Sequence, residues 1–412
     1  MATPQWKQAM DCEYAALQKN KTWTLVPASP SLNVVGNKWI FRIKRNVDGS
    51  IQRYKARLVA KGFHQSPGVD FFETFSPVVK ASTIRVVLSL AVSRGWSLRQ
   101  LDFKNAFLNG TLDEDVYMTQ PSGYEDPAYP NHICKLNKAI YGLKQAPRVW
   151  TNTLKTALLA WGFVNSRSDS SLYIYRVASD VILLLVYVDD VVVTGNNDSL
   201  ISRLINVLDN QFAFKDLGSL SYFLGIQVHS LSTGLLLNQE KYVSDLLQKL
   251  DLEDIKPAPS PCLVGKHLSI SEGTPLSDPY IYRSTIGALQ YLTHTRLDIA
   301  YIVNHLSQFL KQPTDIHWQV VKRVLRYISG TRHLGLLIQP SADLSISAFS
   351  DADWASNIDD RKSIAAYCVF LGENLVSWSS KKQNAIARSS TESLNTECWL
   401  MPLLRSSGYS NC

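Results

Sequence analysis

Long apolar runs are scarce in these 412 residues. The most apolar tract, Val181 to Val188, falls far short of the roughly 20 residues that a membrane span requires, so no membrane partner is expected. Cysteine is sparse and scattered: Cys12, Cys134, Cys262, Cys368, Cys398 and Cys412 form no CxxC and no paired Cys/His spacing. That pattern points away from a zinc site and a disulfide framework, and towards a reducing compartment. Internal repeats and low-complexity tracts are missing, and no signal peptide opens the chain. Charged residues make up 19% and hydrophobic residues 45%, a composition that excludes disorder and can fill buried cores. Lys plus Arg outnumber Asp plus Glu by 42 to 35, giving +7. That mild excess permits a nucleic-acid partner without demanding one. The length suggests roughly two or three domains.

What is present is organised around VILLLVYVDDVVVTG, Val181 to Gly195. The run suits two short buried strands joined by a tight turn, with Asp189 and Asp190 at the turn. Two carboxylates among so much Val, Ile and Leu repel each other and lose hydration unless a positive group sits between them. A divalent cation with oxygen ligands meets that need. An ordinary solvated hairpin tip can carry an Asp pair too, so this stretch does not decide by itself.

The remaining chain supplies the context. Pro4 to Asn20 reads as an amphipathic helix with Trp6, Ala9, Met10 and Leu17 near helical spacing. Asn37 to Phe63 alternates with period two about an Asn46-Val47-Asp48-Gly49 turn, placing Trp39, Phe41 and Ile43 on one face. Arg53, Lys55 and Arg57 share a face of the return strand. Eight Lys or Arg lie between Lys38 and Lys61 against the single acid Asp48, which suits phosphate contact; a solvated face is the alternative. Thr83 to Ser93 is a helix with Ile84, Val87, Leu88 and Ala91 as its buried stripe. Leu98 to Gly110 carries Asp102 at the end of a short strand pattern, with Phe107 five residues on. A lone Asp there is more often a cap or turn residue.

KAIYGLKQAPRVW, Lys138 to Trp150, is punctuated by Gly142 and Pro147 and leads into a helix. Asn196-Asn197-Asp198 caps another helix. Phe214 to Val228 reads as a loop and then a hairpin strand, and Glu240 to Leu250 as an amphipathic helix. Three prolines in Lys256 to Pro261 mark a linker. A helical block spans about Asp278 to Gly330. Strands follow at Leu344 to Ala355, Ser363 to Gly372 and Leu375 to Gln383.

From Trp6 to about Ser393 these residues closely resemble the reverse transcriptases of copia-type LTR retrotransposons. The ordered strings that carry the resemblance include KWIFRIKR, RYKARLVAKGF, ETFSPVV, QLDFKNAFLNG, YGLKQAPRVW, LLLVYVDDVVVTG, DLGSLSYFLGI, YRSTIGALQYLTHTRLDIAY, SDADWA and DDRKS. The resemblance implies an α+β, right-hand polymerase fold: fingers, palm and thumb over 1–255, a linker and helical connection over 256–340, and a partial ribonuclease H-like domain over 341–393. It implies Asp102, Asp189 and Asp190 as catalytic metal ligands for two Mg²⁺ ions, and Phe107 as the aromatic gate against a ribose 2′-hydroxyl. Gly142, Lys144, Gln145 and Pro147 match a motif that packs on the incoming nucleotide and template. Phe223, Leu224 and Gly225 resemble a primer grip, and Lys55 and Arg57 are candidates for triphosphate contact. RNA and DNA template-primers and deoxynucleoside triphosphates are the implied partners, with gag-type particle proteins and cytoplasmic particles implied by family alone. A non-catalytic remnant and a host-recruited nucleic-acid-binding protein are the alternatives.

Two departures stand out. The gag, protease and integrase regions of such a polyprotein are not in this chain, and Met1 near the reverse transcriptase boundary reads as an isolated gene model or a degraded insertion. At the other end, the family string SSTEAEY becomes Ser389-Ser390-Thr391-Glu392-Ser393-Leu394-Asn395, which loses a ribonuclease H metal ligand and leaves Asp351 without that partner. Residues 394–412 read as an aberrant tail. One choice of synonymous codons for Leu394 to Cys412, read from its third base, encodes EYRVLADATAEVIWLQQL, the family's expected continuation. A frameshift near Ser393 would account for this.

Overall fold

The computed structural model describes residues 3–45, 50–263 and 268–395. The Asn46–Gly49 turn and the tail from 396 onward lie outside the described residues. The architecture is mixed α and β. The organising run folds as read. Strands Asp180–Tyr187 and Asp190–Gly195 pair antiparallel through Tyr187 opposite Asp190, with Val188 and Asp189 between them. They are the middle of a six-stranded sheet in the spatial order Phe214–Ser219, Ser97–Phe103, Asp190–Gly195, Asp180–Tyr187, Leu172–Val177 and Val164–Asn165.

These two strands are apolar almost throughout because both sheet faces are covered. Ile182, Leu184, Val191 and Val193 join a core with Trp150, Leu154 and Leu158 of helix Ala146–Trp161 and with Ile201, Leu204 and Leu208 of helix Asp198–Gln211. Leu183, Leu185 and Val192 face the other way, onto Ile84, Val87 and Leu88 of helix Ala81–Arg94. The period-two alternation thus divides one hydrophobic run between two cores. Each such side chain, fully buried, contributes about 1.5–3 kcal/mol.

Phe214–Ser219 departs from the expected loop: it is an edge strand beside Ser97–Phe103, with Lys215 opposite Asp102. Its polar, largely exposed residues and the register shift between Asp216 and Gly218 hide the strand pattern in the sequence. An edge position tolerates both, since one side of the strand faces solvent.

The basic hairpin comprises Asn37–Arg45 and Ile51–Ala60. Its register places Phe41 opposite Ala56 and Ile43 opposite Tyr54, while Arg42 opposes Lys55 and Lys44 opposes Arg53. One face is therefore largely apolar and the other cationic. Helix Pro4–Lys19 packs on this hairpin, with the Trp6 ring edge-on to Phe41 and Tyr54 at 5.0 and 4.6 Å.

Helix Glu240–Lys249 and helices Pro279–Leu292, Ala300–Ser307 and Asp315–Gly330 enclose one helical core. The proline-rich stretch expected as a linker lies along that core: Ala258 is buried and its N–H bonds the Arg326 carbonyl at 3.3 Å. Strand Gly335–Ile338 then returns to pair with Gly234–Asn238, completing a four-stranded sheet with Tyr222–Phe223 and Ile226–Leu231. The last sheet, Ile346–Asp353, Ile364–Leu371 and Asn374–Lys382, contacts helix Ala81–Arg94 through Arg85. That guanidinium donates to the Val376 carbonyl at 2.9 Å and stacks over Trp378 at 3.8 Å. No helix among the described residues is long and apolar enough to cross a membrane.

Candidate active site

Sheet register brings Asp102 and the distant Asp189-Asp190 pair to one end of neighbouring strands. Asp190 is directly opposite Asp102 on the neighbouring strand. Asp189 sits in the preceding turn, where its carbonyl accepts the Phe103 N–H at 2.8 Å. The turn is tight enough to force Val188 into the left-handed region at φ 52°. A β-branched residue there costs on the order of 1–3 kcal/mol, so something must hold it. Trp150, fully buried, donates its indole N–H to the Val188 carbonyl at 2.6 Å. Sequence reasoning placed Trp150 in a motif but gave it no role.

Electrostatics mark the cluster as short of positive charge. Burial pushes the Asp190 carboxyl up to about 6, with the charges of Asp189 and Asp102 adding to the rise. Burial raises Asp189 as well. A hydrogen bond from its own backbone opposes this, Asp102 adds to it, and Arg57 and Lys55 draw it back down. Gln100 is a second residue that sequence reasoning missed. Its amide donates to the Tyr222 carbonyl at 2.7 Å and draws the Asp190 carboxyl part of the way back down. Among the described residues no three His, Cys, Asp or Glu side chains are gathered closely enough to hold a metal by themselves. The donor chemistry nonetheless fits a hard dication, because Mg²⁺ takes one or two carboxylates and completes its shell with water and phosphate oxygens.

Beside the carboxylates lies a cationic wall. Burial lowers the Lys55 ammonium pKa, and neighbouring Arg57, Arg53 and Lys44 lower it further. The Arg57 guanidinium stacks over the Tyr141 ring at 3.8 Å, and its buried Nε has no hydrogen-bond partner among the described residues. Tyr141 in turn meets Phe107 edge-on at 4.6 Å. Phe107 is 8% exposed, on a 3₁₀ turn introduced by Asn105 at φ 49°. A cavity of about 490 Å³ opens between helix Pro4–Lys19, Lys55 and Asn105. Glu13 lines it, and sequence reasoning missed this residue too. Burial raises its carboxyl, which Arg57, the Leu58 N–H and Lys55 draw back. The helix pattern of Pro4 to Asn20 gave no sign that it would reach this wall.

Gly142 and Gln145 fasten the basic hairpin to the carboxylate sheet. Gly142 has φ 94°, and a Cβ there would stand 2.1 Å from the Ala60 carbonyl oxygen. Next to it the Ala60 N–H donates to the Tyr141 carbonyl at 2.8 Å. Gln145, fully buried, donates to the Asp70 carbonyl at 2.8 Å and accepts from Gln65 at 3.0 Å. Its amide thus faces protein partners. The Lys144 ammonium lies 4.7 Å over the Phe71 ring. Pro147 occupies the first turn of helix Ala146–Trp161, where its missing N–H costs nothing. Phe223 is buried, and Leu224 and Gly225 form a turn with φ 50° and 70°. Asp351 lies apart, on an exposed strand of the last sheet, and accepts the Ala352 N–H at 2.8 Å.

A family profile described as reverse transcriptase (RNA-dependent DNA polymerase) matches residues 20–264. The chain belongs to the reverse transcriptase family. Its similarity to copia-type Pol proteins runs over nearly its whole length. It is 50% identical over 388 residues to the retrovirus-related Pol polyprotein from transposon RE1 of Arabidopsis thaliana, covering 94% of this chain and 26% of that protein. The transposon RE2 polyprotein of the same plant is 50% identical over 95% of this chain and 27% of its own length. The transposon TNT 1-94 polyprotein of Nicotiana tabacum is 40% identical over 94% and 30%. This reverse transcriptase chain therefore spans little more than a quarter of the length of these curated relatives.

Proposed function

We propose that the chain extends a primer 3′-hydroxyl with deoxynucleoside triphosphates on an RNA or DNA template. The six-stranded sheet serves as palm, the basic hairpin as part of the fingers, and the helical core after Glu240 as thumb and connection. The observation that carries this reading is the Asp190–Asp102 register with Asp189 in the adjoining turn. The 3′-oxygen bonds the α-phosphorus, the bond to the bridging oxygen breaks, the hydroxyl proton leaves, and pyrophosphate departs. Two Mg²⁺ ions held by Asp102, Asp189 and Asp190 would neutralise charge on the attacking and leaving oxygens. Lys55 and Arg57 bind the triphosphate, whose charge offsets the crowding of cations on that wall. Phe107 and Tyr141 form the apolar wall beside the sugar. Gln145 acts through its clasp with Gln65 and Asp70, keeping the hairpin in place over the site.

For the last sheet the reading is structural. Asp351 is exposed, and Ser393-Leu394-Asn395 replace the family triplet with its ligand Glu. A ribonuclease H site with that ligand missing holds metal poorly, so this sheet is assigned no hydrolysis. Gag-type proteins and cytoplasmic particles belong to the proposal by family only.

The test is Mg²⁺-dependent primer extension on an RNA template by the purified chain and by Asp189→Asn. Extension by the wild type alone is expected. A cooperatively melting wild type that does not extend would overturn the polymerase reading and leave a non-catalytic remnant. Template binding unchanged by Asp189→Asn, with no metal-dependent activity to lose, would instead indicate a binding protein.

A further inference from the structure

The Leu224-Gly225 turn is held by a residue outside the matched segment 20–264. Both turn residues have positive φ, which for leucine costs about 1–2 kcal/mol and needs an external restraint. Tyr291, on helix Pro279–Leu292, donates its hydroxyl to the Leu224 carbonyl. The same hydroxyl fills the space above Gly225, where a Cβ would stand 2.7 Å from the Tyr291 oxygen. Tyr291 is itself braced by the rings of Tyr242 at 5.0 Å and His294 at 5.3 Å. From the turn a short polar path leads to the carboxylates. The Tyr222 carbonyl, two residues before Leu224, accepts from Gln100, whose amide stands close enough to Asp190 to favour its charged form.

Resting on the polymerase reading above, we propose that Tyr291 is a positioning residue for the primer terminus. It fixes the Leu224-Gly225 turn against the carboxylate edge, which makes the helical block after residue 264 a working part of the polymerase. Strand Gly335–Ile338, which completes the sheet bearing that turn, is a second contribution from beyond the matched segment. Burial holds the Tyr291 hydroxyl up at about 12, so it remains a donor at any neutral pH.

The experiment compares full-length wild type with Tyr291→Phe in steady-state and single-encounter primer extension. Tyr291→Phe is expected to raise the apparent KM for primer-template about 3- to 10-fold and to shorten products per encounter, the range one hydrogen bond allows. The KM for deoxynucleotide should hold, and the melting temperature should fall by no more than the roughly 1–2 °C that one hydrogen bond allows. Gly225→Ala, made in both backgrounds, supplies an independent readout. With the hydroxyl gone, the added Cβ meets ring carbons at 3.3 and 3.4 Å. Gly225→Ala should therefore cost less in Tyr291→Phe than in wild type. Unchanged primer KM and product length in a folded variant would overturn the proposal. So would a loss shared equally with nucleotide KM and melting temperature, which would mark a merely structural contact. A folded wild type that extends nothing would overturn the polymerase reading beneath it, and the inference with it.

Discussion

Asp190→Asn should stabilise the metal-free protein at pH 8 while abolishing its chemistry. In the folded state the Asp190 carboxyl is raised from 3.8 to about 6 by burial and by Asp189 and Asp102. Between those values the folded state binds a proton that the unfolded chain has released. Stability therefore falls as pH rises through this window, and the full cost persists above it. Two units correspond to roughly 3 kcal/mol. Water reaching this half-buried site reduces that to about 1–2 kcal/mol. The asparagine amide carries no charge, so the substitution removes the cost. With EDTA present, the melting temperature at pH 8 should rise by roughly 1–3 °C. The gain should shrink steadily as pH falls from about 6 towards 4 and vanish below about 3, where wild-type Asp190 is protonated in both states. Mg²⁺ should raise the wild-type melting temperature more than that of Asp190→Asn, and extension by the variant should fall at least about 100-fold. A gain as large at pH 4 as at pH 8, or none at pH 8, would refute the account of a carboxylate cluster held together against its own charge.

Trp150→Phe removes the indole donor from the Val188 carbonyl. It should cost about 1–2 kcal/mol in urea unfolding and slow extension more than it weakens template binding. Gly142→Ala forces a Cβ to within 2.1 Å of the Ala60 oxygen, at a φ that alanine rarely adopts. Its cost should reach about 3 kcal/mol or more, and nucleotide KM should rise as the hairpin loses its seat. Phe107→Val thins the wall against Tyr141 and should lower the preference for deoxy- over ribonucleotides by about 10-fold or more in competing kcat/KM measurements.

Several elements were legible in the sequence because local patterning fixed them. The Val181–Gly195 hairpin, the stripe Ile84, Val87, Leu88 and Ala91, and the alternating hairpin after Asn37 follow from the periods 3.6 and 2. Asp102, Asp189 and Asp190 could be singled out because the two strings that hold them, QLDFKNAFLNG and LLLVYVDDVVVTG, belong to an ordered set that converges on one family. Local pattern could not reveal the Phe214–Ser219 strand. Beyond the buried Phe214 its residues are exposed and mostly polar, and only pairing with the Asp102 strand gives it regular structure. Nor could it show that the helix before residue 250 and those after 278 share one core, since that depends on how faces meet and not on where apolar residues fall.

The sequence by itself determined the family and most helices and strands, and singled out three carboxylates, because motif identity and side-chain period are properties of the chain. Tertiary structure alone decided who supports that chemistry. Trp150 holds the strained Val188, Gln100 ties the Asp102 strand to the Tyr222 strand, Glu13 faces Lys55 and Arg57, and the fully buried Gln145 bonds to Gln65 and Asp70. Those partners lie tens of residues apart, and their side-chain hydrogen bonds form only once sheet register and helix packing have brought them within reach.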